Sequence, residues 1–138
     1  MTENSAPPLP GPPIDLLGGE EVVRRLSRRF YDFMEEREPA LTAVHRHESP
    51  GRIHPEARER FALFFIEWLG GRRDYSARHG HPRLRMRHGH VPVTTSLATA
   101  WLRCMGAALD EEGVSGDLRA FLEERLRHLA HFLRNAAD

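Results

Sequence analysis

Hydrophobic residues recur along this chain at intervals of three and four positions, in four separate stretches. In the first stretch they are Val22, Val23, Leu26, Phe30, Phe33 and Met34. Such spacing places the side chains on one face of an α-helix. The pattern predicts four helices, over Glu20 to about Glu36, Pro55 to Leu69, Ser96 to Leu109 and Asp117 to Asn135.

Residues that favour helix ends lie at the borders of these stretches. Gly18 and Gly19 precede the first helix, and Pro55 suits a first helical turn. Gly70 and Gly71 end the second helix. Thr94, Thr95 and Ser96 are candidate caps for the third helix.

Signals for β-strands are weak, and only His90 to Thr95 has an extended character. The sequence therefore predicts an all-α fold. Between the second and third helices lies a connection from Gly70 to Pro92 that shows no helical pattern. A connection of that length without regular structure is uncommon in a compact domain, and it usually carries a binding function.

The length of 138 residues suits one domain. Met1 to Pro13 contains five prolines in a polar context, so we expect a disordered tail there and a single domain over 14–138. We find no apolar run of the roughly 18 residues that a membrane helix needs and no secretory signal pattern. These observations favour a cytoplasmic protein.

Charge and cysteine content exclude several classes of function. Twenty basic residues balance twenty acidic ones, which argues against a nucleic-acid-binding protein. Every one of the basic residues is arginine, so neither a Schiff-base lysine nor a phosphate-loop lysine is available. Cys104 is the single cysteine, which rules out an intramolecular disulfide and favours a small buried side chain.

Nine histidines is a high number for this length, and His79, His81, His88 and His90 lie in or beside the long connection. Their spacing is compatible with a zinc site and equally with solvated loop histidines. A haem site requires one neutral imidazole as iron ligand, apolar and aromatic walls, and cationic groups at the rim for the propionates. The spacing does not decide among these three interpretations.

Two longer motifs carry a resemblance to a known family. The run Gly80-His81-Pro82-Arg83-Leu84-Arg85-Met86-Arg87-His88 is followed thirteen residues later by Trp101-Leu102-Arg103-Cys104-Met105. Together with Leu17-Gly18-Gly19, Arg29-Phe30-Tyr31, Gly70-Gly71 with Tyr75, and Asn135, these motifs resemble the group II truncated haemoglobins over about 14–135. The resemblance implies a two-over-two helical sandwich that encloses haem b.

The resemblance also implies roles for individual residues. His88 corresponds to the proximal iron ligand. Tyr31, His45 and Trp101 correspond to polar residues on the distal side, where they would donate hydrogen bonds to a bound diatomic ligand. Ala57 stands where ordinary globins carry a distal histidine.

Further residues would contact the cofactor itself. Phe30 and Phe61 would form part of the pocket wall, and the ring of Phe61 would narrow the distal cavity. Arg60 and Arg87 could pair with the haem propionates, because a guanidinium binds a carboxylate in a bidentate manner. Tyr75 would lie at the haem edge.

The function implied is reversible binding of oxygen, nitric oxide or carbon monoxide. An enzymatic alternative is nitric oxide dioxygenase or peroxidase-like activity, which would need an external reductase, because no flavin or nicotinamide fingerprint is present. A third possibility is a helical domain without haem and with a zinc-binding histidine loop. We expect a monomer or a homodimer.

Overall fold

The computed structural model describes residues 8–83 and 91–136, and within these ranges it contains seven helices. Three are short, namely α1 (Pro13–Leu17), α3 (Pro39–Ala43) and α5 (Asp74–His79). Four are long, namely α2 (Glu20–Arg37), α4 (Pro55–Trp68), α6 (Thr95–Glu111) and α7 (Gly116–Leu133). The four long helices match the four predicted ones within two residues at either end, so the all-α prediction is confirmed.

The long helices pack in two layers. Helix α2 lies against both α4 and α6, and α6 lies against α7. The core between them contains Val23, Leu26, Phe30, Met34, Phe65, Met105, Leu109 and Leu122, each at most 2% exposed. Because α2 contacts two neighbours, its buried stripe is wide, and the adjacent residues Phe30 and Tyr31 are both buried.

Helix α4 differs from the other long helices because its second half is buried nearly all round. Five consecutive residues, from Ala62 to Ile66, are buried. Consecutive helical residues point in directions about 100° apart, so this part of α4 must be covered on several sides. Helices α2 and α5 supply much of that cover.

The connections differ from the sequence pattern in two places. The only strands in the described residues are His47–Ser49 (β1) and Arg52–Ile53 (β2), an antiparallel pair joined through Pro50 and Gly51, whereas 91–95 forms no strand. The long connection contains regular structure, because α5 lies within it. The first turn of α5 is held by Glu67, which accepts hydrogen bonds from the backbone N–H and the hydroxyl of Ser76.

Candidate functional site

A cavity of about 250 Å³ lies between the end of α3, the start of α6 and the end of α7. Apolar side chains form most of its wall. The residues that line it are Leu41, Val44, His45, Arg46, Val91, Val93, Leu97, Ala98, Trp101, Ala130 and Leu133. Its polar groups, His45, Arg46 and the indole of Trp101, come from two different parts of the chain.

Trp101 reaches the cavity from the middle of α6. Its ring lies 5.3 Å from that of Phe30 at an angle of 80°, and 6.4 Å from that of Phe61. Phe30 and Phe61 are themselves 5.2 Å apart. Edge-to-face contacts of this kind fix the orientation of the rings, so three elements, α2, α4 and α6, hold the indole in place.

His45 follows α3 and also lines the cavity. Its Nδ1 donates a hydrogen bond to the backbone carbonyl of Leu41 over 2.8 Å. Because a carbonyl oxygen can only accept, the proton of the neutral imidazole lies on Nδ1. The Nε2 atom can then donate only when the ring carries a second proton, which bears on the expected role of His45 as a donor.

Tyr31 packs against His45 and is not among the residues that line the cavity. The two rings are 5.8 Å apart at 86°, and Tyr31 also contacts Phe30 and Phe61 at 5.1 and 5.6 Å. The residue is 4% exposed. Burial raises the pKa of its phenol well above the usual value, and the positive charge of Arg58 acts in the opposite direction. The phenol is therefore neutral near pH 7 and keeps its proton for a hydrogen bond.

The remaining residues expected at the site are distributed around this cluster. Ala57 lies one turn before Phe61 on α4 and packs against the core. Tyr75 is buried in a second cluster, with its ring 5.7 Å from Phe64 and 5.1 Å from His79. Arg60 is exposed on α4. Arg87 and His88 lie outside the described residues.

Several apolar residues of the wall were not predicted. Leu41, Val44, Leu97 and Leu133 line the cavity. In sequence, Leu97 and Leu133 look like ordinary helical core positions, and Leu41 and Val44 lie outside the predicted helices. A spacing of three and four residues identifies a buried face, but it does not say whether the face meets another helix or a cavity. No signal in the sequence could have separated these two cases.

The chemistry of the described residues suits an apolar cofactor. The cavity has mainly aliphatic walls and a cluster of packed aromatic rings beside it. Such a surface suits an apolar macrocycle, while the few polar groups suit a small polar ligand bound to it. Among the residues that the structure describes, no three His, Cys, Asp or Glu side chains group together to hold a metal ion. A zinc site built from protein side chains therefore has no support in this part of the chain.

The two-layer helical fold, with a largely aliphatic cavity beside a cluster of aromatic rings, is that of a small globin. The family model described as bacterial-like globin matches residues 14–135, and the chain belongs to this family. Family members bind haem b, so the protein is a haem protein that binds oxygen or other diatomic ligands.

Individual relatives place the chain among the truncated haemoglobins. It is 36% identical over 120 residues to the group 2 truncated hemoglobin YjbI of Bacillus subtilis (strain 168), covering 87% of this chain and 86% of that protein. The crystal structure of the group II truncated hemoglobin from Bacillus anthracis superimposes with a TM-score of 0.84 at 34% identity, covering 95% and 96% of the two chains. The truncated oxygen-avid haemoglobin from Bacillus subtilis gives 0.78 at 34% identity, covering 91% of this chain and all of that one. The resemblance noted in the sequence is thereby confirmed, together with the two-over-two fold.

Within the described ranges, no helix combines the length and the apolar character needed to cross a membrane.

Proposed function

We propose that His88 is the protein ligand of the haem iron and that Trp101, Tyr31 and His45 form the polar side of the ligand pocket. The observation that carries this proposal is the convergence of Trp101 and His45 on one apolar cavity, with Tyr31 in ring contact with His45. His88 is the residue that closes the glycine-to-histidine run. It stands a short distance in sequence before Val91 and Val93, which line the same cavity.

Haem supplies an iron atom that binds diatomic gases reversibly and leaves partial negative charge on them. The side chains around the cavity act on that charge. The indole N–H of Trp101 and the phenol of Tyr31 are hydrogen-bond donors, and His45 becomes a third donor, through Nε2, when its ring carries a second proton. Each net hydrogen bond contributes about 1 kcal/mol, which corresponds to roughly a five-fold slower release of the ligand.

Tight binding is the outcome that this arrangement favours. A related protein from Bacillus subtilis is described as oxygen-avid. Two donors that act together in a pocket with apolar walls would slow dissociation by more than ten-fold. We therefore propose slow ligand release in this protein as well.

At the rim, we propose that Arg60 and Arg87 pair with the haem propionates and that Phe30, Ala57, Phe61 and Tyr75 contact the macrocycle. Arg60 is exposed on α4, one turn before Phe64, and Phe64 contacts Tyr75. Arg60 forms no ion pair with any of the described residues. A guanidinium with this freedom can reach a carboxylate at the edge of the cofactor.

Optical spectroscopy tests the central proposal. The purified protein should show an intense Soret band in its ferric, ferrous and carbonyl forms. The variant His88→Ala should lose the normal coordination spectrum. His81→Ala is the matched control, because His81 is an exposed histidine of the same run, and it should leave the spectrum unchanged. Wild-type spectra in the His88→Ala protein would remove the axial assignment.

Finer aspects of the function are also proposals. We propose that residues 14–138 form the globin domain, that the protein works in the cytoplasm as a carrier or store of oxygen, and that it is a monomer or homodimer. Turnover of nitric oxide or peroxide would depend on electrons from a separate reductase, since the sequence has no nucleotide-binding fingerprint.

A further inference from the structure

A group of charged side chains lies directly behind Tyr31, between α2 and the start of α4. Arg58 donates a hydrogen bond from Nη1 to Asp32 over 3.1 Å, and its Nη2 forms an ion pair with Glu35 at 2.9 Å. The Glu35 side chain is only 10% exposed and that of Arg58 24%. Charge-assisted bonds in a partly buried position are stronger and more rigid than ordinary surface ion pairs.

The two carboxylates are themselves held by other parts of the molecule. Glu35 accepts a hydrogen bond of 2.7 Å from the backbone N–H of Ile53, which lies in β2. Asp32 accepts a second bond, of 3.0 Å, from Arg29. The guanidinium of Arg58 is therefore fixed by acceptors whose positions depend on α2 and on the hairpin together.

The same guanidinium faces the ring of Tyr31. Its central carbon lies 5.4 Å from the ring centre, within the range of a cation–π contact. The other neighbours of the ring are Phe30, Phe61 and His45. Arg58 differs from these three neighbours, because ion pairs hold it in position and apolar packing does not.

We propose that Arg58 is a positioning residue for the ligand pocket: anchored by Asp32 and Glu35, it keeps the ring of Tyr31 in its edge-on contact with His45. The inference rests on the proposed function, in that it assigns the orientation of a residue placed on the polar side of the pocket. Without Arg58, the ring gains room to reorient and its hydroxyl no longer has one fixed direction.

The chain offers a matched control. Arg24 also joins α2 to α4, through its 3.0 Å ion pair with Glu59, but among the described residues its guanidinium makes no hydrogen bond or cation–π contact with Tyr31. Arg24→Met and Arg58→Met therefore both remove an arginine link between the same two helices. A purely structural effect would appear in both variants.

The first measurement observes the ring directly, in the holoprotein in its carbonyl form. The chain contains two tyrosines, Tyr31 and Tyr75, so ¹³C-labelled tyrosine gives two sets of ring signals. Arg58→Met should shift or broaden the Tyr31 signals and leave those of Tyr75 in place, and Arg24→Met should change neither. Unchanged Tyr31 signals in Arg58→Met, or equal changes in both variants, would overturn the inference.

The second measurement is the oxygen dissociation rate in a double-mutant cycle. Arg58→Met should accelerate dissociation about five-fold, the effect of one hydrogen bond, and less than about two-fold when Tyr31 is already phenylalanine. Arg58→Lys keeps the positive charge but loses the bidentate guanidinium, so its dissociation rate should lie between those of the wild type and Arg58→Met. It replaces the methionine variant in the cycle if that variant folds poorly. Equal acceleration in both backgrounds would show that Arg58 does not act through Tyr31.

The two proposals can fail separately. If Tyr31→Phe leaves the dissociation rate unchanged, the donor role of Tyr31 under the proposed function is wrong. The ring signals still decide whether Arg58 positions the side chain.

Discussion

Trp101 is the side chain through which the helical core meets the ligand cavity. Its ring packs on Phe30, and its edge lines the cavity. We predict that Trp101→Leu accelerates oxygen dissociation by about five- to ten-fold, because the variant loses one hydrogen-bond donor worth roughly 1 kcal/mol and keeps an apolar side chain. Stopped-flow displacement of oxygen by carbon monoxide measures this rate.

Trp68→Leu is the control for that experiment. Trp68 stacks on Phe65 at 6.0 Å and is not among the residues that line the cavity. It should alter stability without altering the dissociation rate. A similar change of rate in both tryptophan variants would contradict the donor role of Trp101.

Phe61 offers a second test at the scale of one residue. Its ring contacts Phe30, Tyr31 and Trp101, so it fills the space between the polar residues. Phe61→Leu should open that space and accelerate the association of oxygen and carbon monoxide, which flash photolysis measures. Unchanged association rates would show that the ring does not restrict entry.

Cys104 is 3% exposed, as the sequence predicted for a small apolar side chain. Burial raises the pKa of its thiol to about 11. Since the thiolate is the reactive form, the folded protein should show almost no labelling by a disulfide reagent at pH 8, and the urea-unfolded protein should label fully. Rapid labelling of the folded protein would show that Cys104 is accessible.

At the scale of elements, the sequence predicted the long helices and missed the short ones. An amphipathic pattern needs several turns to be visible, and α1, α3 and α5 have five or six residues each. Contacts with other helices explain these three short helices better than the local spacing of apolar residues does. Tyr75, for example, is buried on α5 because it meets Phe64 of α4, a contact between positions whose proximity the sequence does not show.

Helix α1 is joined to the end of α4 at a point where no side chain fits. The N–H of Ile14 donates to the carbonyl of Leu69 over 3.0 Å. A Cβ atom on Gly71 would lie 2.6 Å from Ile14 Cδ1 and 2.9 Å from the carbonyl oxygen of Ile66. We predict that Gly71→Ala lowers the free energy of unfolding by about 1–3 kcal/mol, as measured by urea denaturation.

Gly106→Ala provides the contrast for Gly71→Ala. Gly106 lies inside α6, where an added Cβ would meet nothing closer than 3.8 Å. Alanine is favoured over glycine in a helix, so this variant should gain about 0.5–1 kcal/mol. Equal effects of the two substitutions would mean that the close contact at Gly71 does not matter.

At the scale of the whole molecule, arginine–glutamate pairs join the two helical layers. Arg25 and Arg29 of α2 reach Glu112 and Glu111 at the end of α6, and Arg103 of α6 reaches Glu38 after α2. Hydrogen bonds from these arginines lower the pKa of each of the three glutamates. The ionised carboxylates are therefore favoured in the folded state.

This arrangement predicts how stability depends on pH. A carboxyl group whose folded pKa is lowered stabilises the fold fully above its unfolded pKa, near about 4.3 for glutamate, and the contribution disappears as the pH falls through the folded pKa. Glu38→Gln should thus cost on the order of 0.5 kcal/mol above pH 5, and the difference from wild type should vanish in more acidic solution. Urea denaturation between pH 3 and 7 follows both proteins.

Glu36→Gln is the control for the pH series. Glu36 is exposed, and no ion pair involves it within the described residues. Its substitution should show no comparable pH dependence. High salt should also shrink the effect of Glu38→Gln, because exposed ion pairs are screened. A difference that persists at pH 3 would show that the pair with Arg103 does not stabilise the fold by charge.

The candidate site was predictable from sequence only where the resemblance to the truncated haemoglobins marks a residue. Trp101 and His45 were identified as pocket residues and line the cavity. Arg58 was not predicted to have a special role, because nothing in the sequence distinguishes it from the other nineteen arginines. Its role depends on two carboxylates from α2 and on a hairpin that the apolar pattern did not predict.

The row of stacked rings along α4 ends in tryptophans, whose intrinsic fluorescence can report on the bound cofactor. Phe61, Phe65 and Trp68 follow one another at 5.4 and 6.0 Å, and Trp101 stands 6.4 Å from the first of them. Trp101 lines the cavity, and Trp68 lies at the far end of this row of rings, so both tryptophans of the chain belong to one packed aromatic cluster. Resonance energy transfer to a bound porphyrin would quench their fluorescence, so the recovery of emission offers a direct readout of how quickly the protein loses its cofactor.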